Sequence, residues 1–160
     1  MAYKHPPSCD YQKAMRHNNN DSVSLQITPY ASKKDLEIIE CVKQGGNYMD
    51  VPDEIATSRI LYFKRTGGRT TTYGRLDPNQ PNYTLNTYFD RPNIGCNIHY
   101  AENRMITIRE GLRFQSFPDD FEVLSSTKRN YYVQVGNAVP PLVSQAWARH
   151  IKGSLNNSCS

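Results

Sequence analysis

Residues 133–151, VQVGNAVPPLVSQAWARHI, set a Gly-Asn pair, two consecutive prolines and an amphipathic run side by side. Pro140 and Pro141 can open a helix there, because the first helical turn leaves its N–H groups without intrahelical partners and proline's fixed φ suits that position. Leu142, Val143, Ala146, Trp147 and Ile151 then share one face, and Gly153 is placed to end the helix. Ahead of it, Gly136 permits close backbone approach to a ligand or another chain, and Asn137 offers both a donor and an acceptor. A helix start pointing N–H groups outward would make this corner suit a carboxylate. The same residues also read as a plain turn that caps a helix.

Outward from this stretch the same local rules apply. In TIREGLRFQSFP, residues 107–118, Thr107 and Glu110 form a capping box for a short helix and Pro118 terminates it. Arg109 and Arg113 lie four apart and share a face, either clamping a carboxylate or phosphate or pairing with Glu110 and the Asp119-Asp120 turn. Earlier, ASKKDLEIIECVKQGG, residues 31–46, predicts a helix capped by Ser32 and Asp35, with Leu36, Ile39 and Val42 on one face and Gly45-Gly46 as its stop. Between these helices, residues 60–106 are rich in Thr, Tyr, Arg, Gly, Pro and Asn and carry short alternating runs such as YTLNTY, which predict loops and short strands. Residues 1–30, with HPP and HNNND and no periodicity, read as a poorly ordered arm, and the tail 154–160 as loose.

The chain of 160 residues suits one domain with a core of its own. Eleven tyrosines and a mean hydropathy of -0.70 imply a polar surface. No run approaches the length of a membrane span, and MAYKHPPSCD lacks the apolar centre of a signal peptide, so the chain reads as soluble and cytoplasmic with no membrane role. Cys9, Cys41, Cys96 and Cys159 are scattered, with no C-x-x-C and no histidine at ligand spacing; free thiols are expected, and no metal. Charge is uneven: residues 1–58 hold six Lys/Arg against eight Asp/Glu, and residues 59–113 hold nine against four. In that basic middle Arg59, Lys64, Arg65, Arg69, Arg75 and Arg91 alternate with tyrosines and phenylalanine, a composition suited to phosphates and guanine edges. It equally describes a solvated loop region.

Taken together, these residues resemble the C-terminal part of the DNA (cytosine-5) methyltransferases, the bacterial modification enzymes of restriction-modification systems. Arg109, Glu110, Arg113, Gln115, Phe117 and Pro118 match that family's ninth motif, and Gln134, Gly136, Asn137, Ala138 and Val139 match its tenth. YGRLDPNQPNYTLNTYFDRPNIGCNIH, with the Thr84-Leu85 pair, is similar to the end of its target-recognition region. The resemblance covers about residues 45–153.

It implies an α+β chain: a small irregular β-rich recognition domain with short helices over 31–105, then closing motifs over 106–153 whose last helix completes a Rossmann-like methyltransferase domain. It implies that Asn137, with Gly136, Ala138 and Val139, contacts S-adenosylmethionine. It further implies that Arg109, Glu110, Arg113 and Gln115 support the recognition domain, and that Arg69, Arg75, Thr84, Leu85 and Arg91 meet double-stranded DNA.

The departures matter as much. Methylating carbon 5 of cytosine needs a thiolate and a carboxylic acid on an extruded base. The family supplies them from Pro-Cys and Glu-Asn-Val. Here Cys9 follows Ser8 and the other cysteines follow Glu40, Gly95 and Ser158, while Glu102-Asn103 continues as Arg104. The Gly-x-Gly turn and the Gln-x-Arg-x-Arg motif are absent too, so no catalytic residue is expected in this sequence. Three readings follow: a subunit of a split enzyme sharing the cofactor with a catalytic chain that carries Pro-Cys and Glu-Asn-Val; an inactive remnant acting only as a DNA-binding module; and an unrelated small nucleic-acid-binding domain.

Overall fold

A computed structural model of the chain describes residues 3, 5–16 and 23–158. In order it contains α1 (Asp10–Met15), α2 (Lys33–Cys41), a 3-10 turn (Tyr48–Asp50), α3 (Ser58–Thr66), β1 (Gly74–Arg75), β2 (Cys96–Ile98), α4 (Ile108–Phe114), α5 (Lys128–Asn137) and α6 (Pro141–Ser158). The two strands pair in parallel, Gly74 with Cys96, so close that a Cβ on Gly74 would lie 2.9 Å from the Cys96 backbone. The α+β class stands, but the recognition region is not β-rich. Its YTLNTY run forms no strand and instead turns Leu85, with Phe89 just after it, into the core.

Both sequence-read capping boxes form. In α2 the Asp35 amide donates to Ser32 Oγ at 3.1 Å, and in α4 the Glu110 amide donates to Thr107 Oγ1 at 3.1 Å while Glu110 Oε2 accepts from the Thr107 amide at 2.7 Å. The α2 face differs from the expectation, since Ile38 and Ile39 are fully buried whereas Leu36 is exposed, and α2 ends at Cys41, before the glycine pair.

Three helices are additional to those read from sequence: α1 in the N-terminal arm, α3 and α5. Helix α3 is capped by Thr57 and ends at Gly67, whose φ of 78° few other residues tolerate. Helix α5 includes β-formers (Tyr131, Tyr132, Val133, Val135) and ends in Gly136-Asn137, poor helix formers that tertiary packing overrides.

Two apolar clusters form the interior. One gathers Leu76, Leu85, Phe89, Cys96, Ile106, Ile108, Leu112, Tyr132 and Val135; the other gathers Ile38, Ile39, Val42, Tyr48, Val51, Ile60, Tyr73 and Ile98. Strand β2 contributes to both.

The N-terminal arm is corrected over its described part. Residues 10–15 are helical, Met15 and Val23 are buried, and Leu25 and Ile27 pack on the first cluster. Their role is specific: the Leu25 and Ile27 carbonyls accept from the Arg109 and Ile108 amides at 3.1 and 3.2 Å, filling donors that the start of α4 cannot satisfy itself. The HNNND run lies outside the described residues. At the other end α6 runs through Gly153 to Ser158, so residues 154–158 are helical rather than loose. Cys9, Cys41 and Cys96 are free thiols, and Cys159 lies outside the described residues.

Candidate functional site

The basic middle folds around a cleft of about 720 Å³. Its walls carry Arg59, Arg69, Thr71, Thr72, Thr84, Asn86 and Asn93, with Gly67, Gly68 and Gly95 on the backbone and no carboxylate among its lining residues. Helix α3 brings Arg59, whose guanidinium lies 5.2 Å from the Phe63 ring centroid. The glycine loop after α3 is held rather than free: the Gly68 amide donates to the Tyr48 hydroxyl at 2.9 Å, and a Cβ on Gly68 would overlap Phe63. Hydroxyls, amides and two guanidiniums without a facing carboxylate can accept an anionic backbone and read polar edges beside it.

Of the five residues assigned to DNA, the structure brings Arg69 and Thr84 into this cleft, both exposed. Arg91 is exposed nearby on the same chain segment, 5.0 Å from the Tyr88 ring centroid. Arg75 and Leu85 are corrections. Arg75 is 5% exposed, and its guanidinium donates to the carbonyls of Ile39 (2.7 Å), Val42 (2.8 Å), His99 (2.8 Å) and Glu102 (2.9 Å) and to Asn103 Oδ1 (2.8 Å). All five N–H groups are thereby used inside the chain. It ties the end of α2 to the loop after β2, and burial lowers its pKa. Leu85 is buried in the first cluster beside Gly111, where it cannot reach a ligand. Arg59, Thr71, Thr72, Asn86 and Asn93 are among the cleft residues missing from the sequence-read set; Arg59 had a signal in the basic alternation.

The ninth-motif residues spend their polar groups on bonds within the chain. Arg109 is 0% exposed and donates to the carbonyls of Ser24, Pro118 and Phe121, gathering the arm and the turn after α4. Arg113 meets Asp119 through two bonds, 2.7 and 3.0 Å, and Arg104 grips Glu110 with two at 2.8 and 2.9 Å. Burial opposes the charge of Glu110, but the Arg104 bonds and the Thr107 amide outweigh it and hold the carboxyl below its usual pKa. His99, 3.8 Å from Glu110, is held below its ordinary pKa by burial first and by Arg104 second.

Gln115 connects the two motifs. Its Nε2 donates to the carbonyls of Val135 at 3.0 Å and Ala138 at 3.4 Å, closing the end of α5. The Gly136-Asn137 corner is therefore a helix end, not the helix start expected from sequence; the first free amide of α6, on Leu142, donates to Ser116 Oγ at 3.1 Å. Gly136 does make a close approach, but to this chain: a Cβ there would lie 2.6 Å from the Asn86–Thr87 backbone. Asn137 and Val139 are exposed, Val139 at 66%, and Ala138 is half-buried between them.

Helix α6 leaves the corner with every residue from 142 to 156 exposed. Its apolar side chains extend the expected stripe to Leu155, and Trp147 is 70% exposed. No helix among the described residues is long and apolar enough to cross a membrane, and none of their His, Cys, Asp or Glu residues cluster for a metal.

Residues 6–153 match the family described as C-5 cytosine-specific DNA methylase. A protein of Oceanobacillus iheyensis named type II methyltransferase M.OihORF3336P is 30% identical over 98% of this chain, which spans 39% of that relative. DNA (cytosine-5)-methyltransferase 2 of Arabidopsis thaliana is 32% identical over 96% of the chain, which spans 11% of it. Type II methyltransferase M.AquIB of Picosynechococcus is 36% identical over 75% of the chain and is itself covered over 81% of its length. The chain thus spans well under half of two of these relatives and most of the third.

Proposed function

The chain belongs to the C-5 cytosine-specific DNA methylase family, and from that premise we propose that it is the DNA-recognition and cofactor-site-completing part of a cytosine methyltransferase, acting with a separate catalytic chain. The observation that carries this reading is α6, whose Leu142, Val143, Trp147, Ile151 and Leu155 lie open along one helix. Fully burying such a side chain stabilises by about 1.5–3 kcal/mol, so the stripe represents a large unfilled contact. A partner surface is the occupant that fits the family, as the last helix completing a Rossmann-like domain. The Picosynechococcus relative adds support, since a type II methyltransferase chain of about this span exists.

The division of labour follows. S-adenosylmethionine supplies the methyl group. From this chain, Asn137 and Val139 are the exposed groups at the corner that would hold it, and Asn137 sits at the electronegative end of α5, which suits the ammonium of an amino-acid end. Gly136 fits a different task from the one expected, because its open side is already filled by Asn86 and Thr87. Gln115 keeps the corner in shape. Arg59, Arg69 and Thr84 in the cleft, with Arg91 beside it, meet the phosphates and base edges of the duplex. Arg109, Glu110 and Arg113 brace the recognition region. The nucleophilic thiolate and the acid that engages the ring come from the catalytic chain, as this sequence contains neither Pro-Cys nor Glu-Asn-Val.

The test is co-expression with the neighbouring reading frame, if it carries those two motifs, followed by co-purification and transfer of labelled methyl to duplex DNA. Activity is expected only from the pair, and Trp147→Asp should separate the chains. Methyl transfer by this chain alone would refute the division of labour. A stable monomer that binds duplex while no catalytic chain docks on α6 would favour the DNA-binding remnant.

A further inference from the structure

We propose that Arg129, on α5, is a positioning residue for the DNA-facing wall, setting the shape of segment 84–91 without touching DNA itself. The inference rests on the reading of the cleft as the duplex-facing surface.

Segment 84–91 supplies Thr84 and Asn86 to the cleft and carries Arg91 at its end. Among the described residues it pairs with no strand. Its backbone bonds are local, Phe89 to Asn86 at 3.3 Å and Arg91 to Tyr88 at 3.0 Å, so its conformation must be imposed from outside. One face of α5 does so. Residues 129, 132 and 136 stand at i, i+3 and i+7 and therefore share that face. Gly136 lies against the Asn86–Thr87 backbone with no room for a Cβ. Tyr132 meets Phe89 edge-on, ring centroids 4.8 Å apart. Arg129 Nη1 donates to the Thr87 carbonyl at 2.6 Å and to Asp90 Oδ1 at 3.1 Å, and its guanidinium lies 4.2 Å from the Tyr88 ring centroid. One side chain thus grips three of four consecutive residues.

The first two anchors are close packing, at the Gly136 backbone and the buried Tyr132 ring, that substitution would disturb beyond the segment. Arg129 is different, because its side chain is 37% exposed and its contacts are confined to the segment. It couples the helix that ends in the cofactor corner to the wall that meets the duplex, from a position outside the basic middle.

The experiment compares the full chain with its Arg129→Gln, Arg129→Lys and Asp90→Asn variants by hydrogen exchange and by titration of a labelled 30-base-pair duplex at several salt concentrations. In Arg129→Gln, amide exchange should rise across 84–91 while the other helices keep their protection. Duplex affinity should fall about tenfold, the scale of one lost charge-assisted hydrogen bond. The slope of log affinity against log salt should stay unchanged, because no phosphate contact is lost. Arg129→Lys, which keeps the charge beside Asp90, should recover part of the loss, and Arg129→Gln should cost less in the Asp90→Asn background, where only the Thr87 and Tyr88 contacts remain to be lost.

A slope lower by about one would make Arg129 a phosphate contact and overturn the proposal. A uniform rise in exchange with unchanged affinity would make it an ordinary brace, again overturning it. A wild-type chain that binds no duplex, with Arg69→Gln equally silent, would instead overturn the DNA-interface reading beneath, and the DNA role of Arg129 with it, while the exchange data still report whether the latch exists.

Discussion

Replacing Arg75 with Met separates a structural arginine from a DNA-binding one. The methionine keeps most of the stem's volume and removes all five donors. Of the four carbonyls that lose a partner, those of His99 and Glu102 are only partly buried and can turn to water. Those of Ile39 and Val42 close the last turn of α2 in the interior. Ile39 still accepts from the Val42 amide at 3.2 Å, so Val42 is the carbonyl left alone. An orphaned buried acceptor costs about 1–3 kcal/mol and the half-deprived Ile39 less, while relief of the guanidinium's desolvation offsets part. The net loss is about 2 kcal/mol, which for a domain of this size lowers Tm by roughly 6 °C. Urea unfolding followed by far-UV circular dichroism measures it, and duplex titration at several salt concentrations supplies the control, because removing a buried arginine leaves the salt slope unchanged. A methionine variant within 1 kcal/mol of the parent that shows a slope lower by about one would refute the assignment and return Arg75 to the DNA surface.

The exposed arginines should behave in the opposite way: Arg59→Gln and Arg69→Gln each lower the salt slope by about one and leave the urea midpoint in place, and an unchanged slope in both would remove the cleft from the interface. At the corner, Gly136→Ala should cost about 1–3 kcal/mol of stability through overlap with the Asn86–Thr87 backbone. Asn137→Ala should stay within about 0.5 kcal/mol but weaken S-adenosylmethionine binding by the assembled enzyme; calorimetry showing undiminished affinity would clear Asn137 of that role. Acidification should act through two depressed groups, His99 and Glu110, against Asp119. Burial pushes the Asp119 carboxyl up to about 6, and its protonation favours the folded state as pH falls. His99 has a folded pKa below its ordinary 6.5, so its contribution is complete above that value and is lost as pH falls through the interval beneath it. Glu110, held below its ordinary 4.5, adds a second loss further down. Urea midpoints from pH 8 to 3.5 test this, with His99→Gln expected to abolish the upper loss alone.

The amino-acid sequence by itself determined what depends on residues close along the chain. The Ser32-Asp35 and Thr107-Glu110 boxes, the proline start of α6 and its apolar stripe are i, i+3 and i, i+4 relations, which one helical turn satisfies with no help from elsewhere. The motif residues of the resemblance were legible in the same way, as ordered words in the chain. Only the tertiary structure decided which polar groups face inward. Arg75 and Arg69 are neighbours in one basic run, yet one is sealed by carbonyls from α2 and the loop after β2 and the other opens on the cleft. Long-range contacts likewise turned Leu85 into core, drew residues 23–27 onto α4, and closed Gly136 against Asn86 and Thr87. The physical reason is that a side chain's type sets what it can bond to, whereas its partner and its access to water are set by segments many residues away. The recognition region, built from loops with a two-stranded sheet as its sole regular pairing among the described residues, depends on such contacts most.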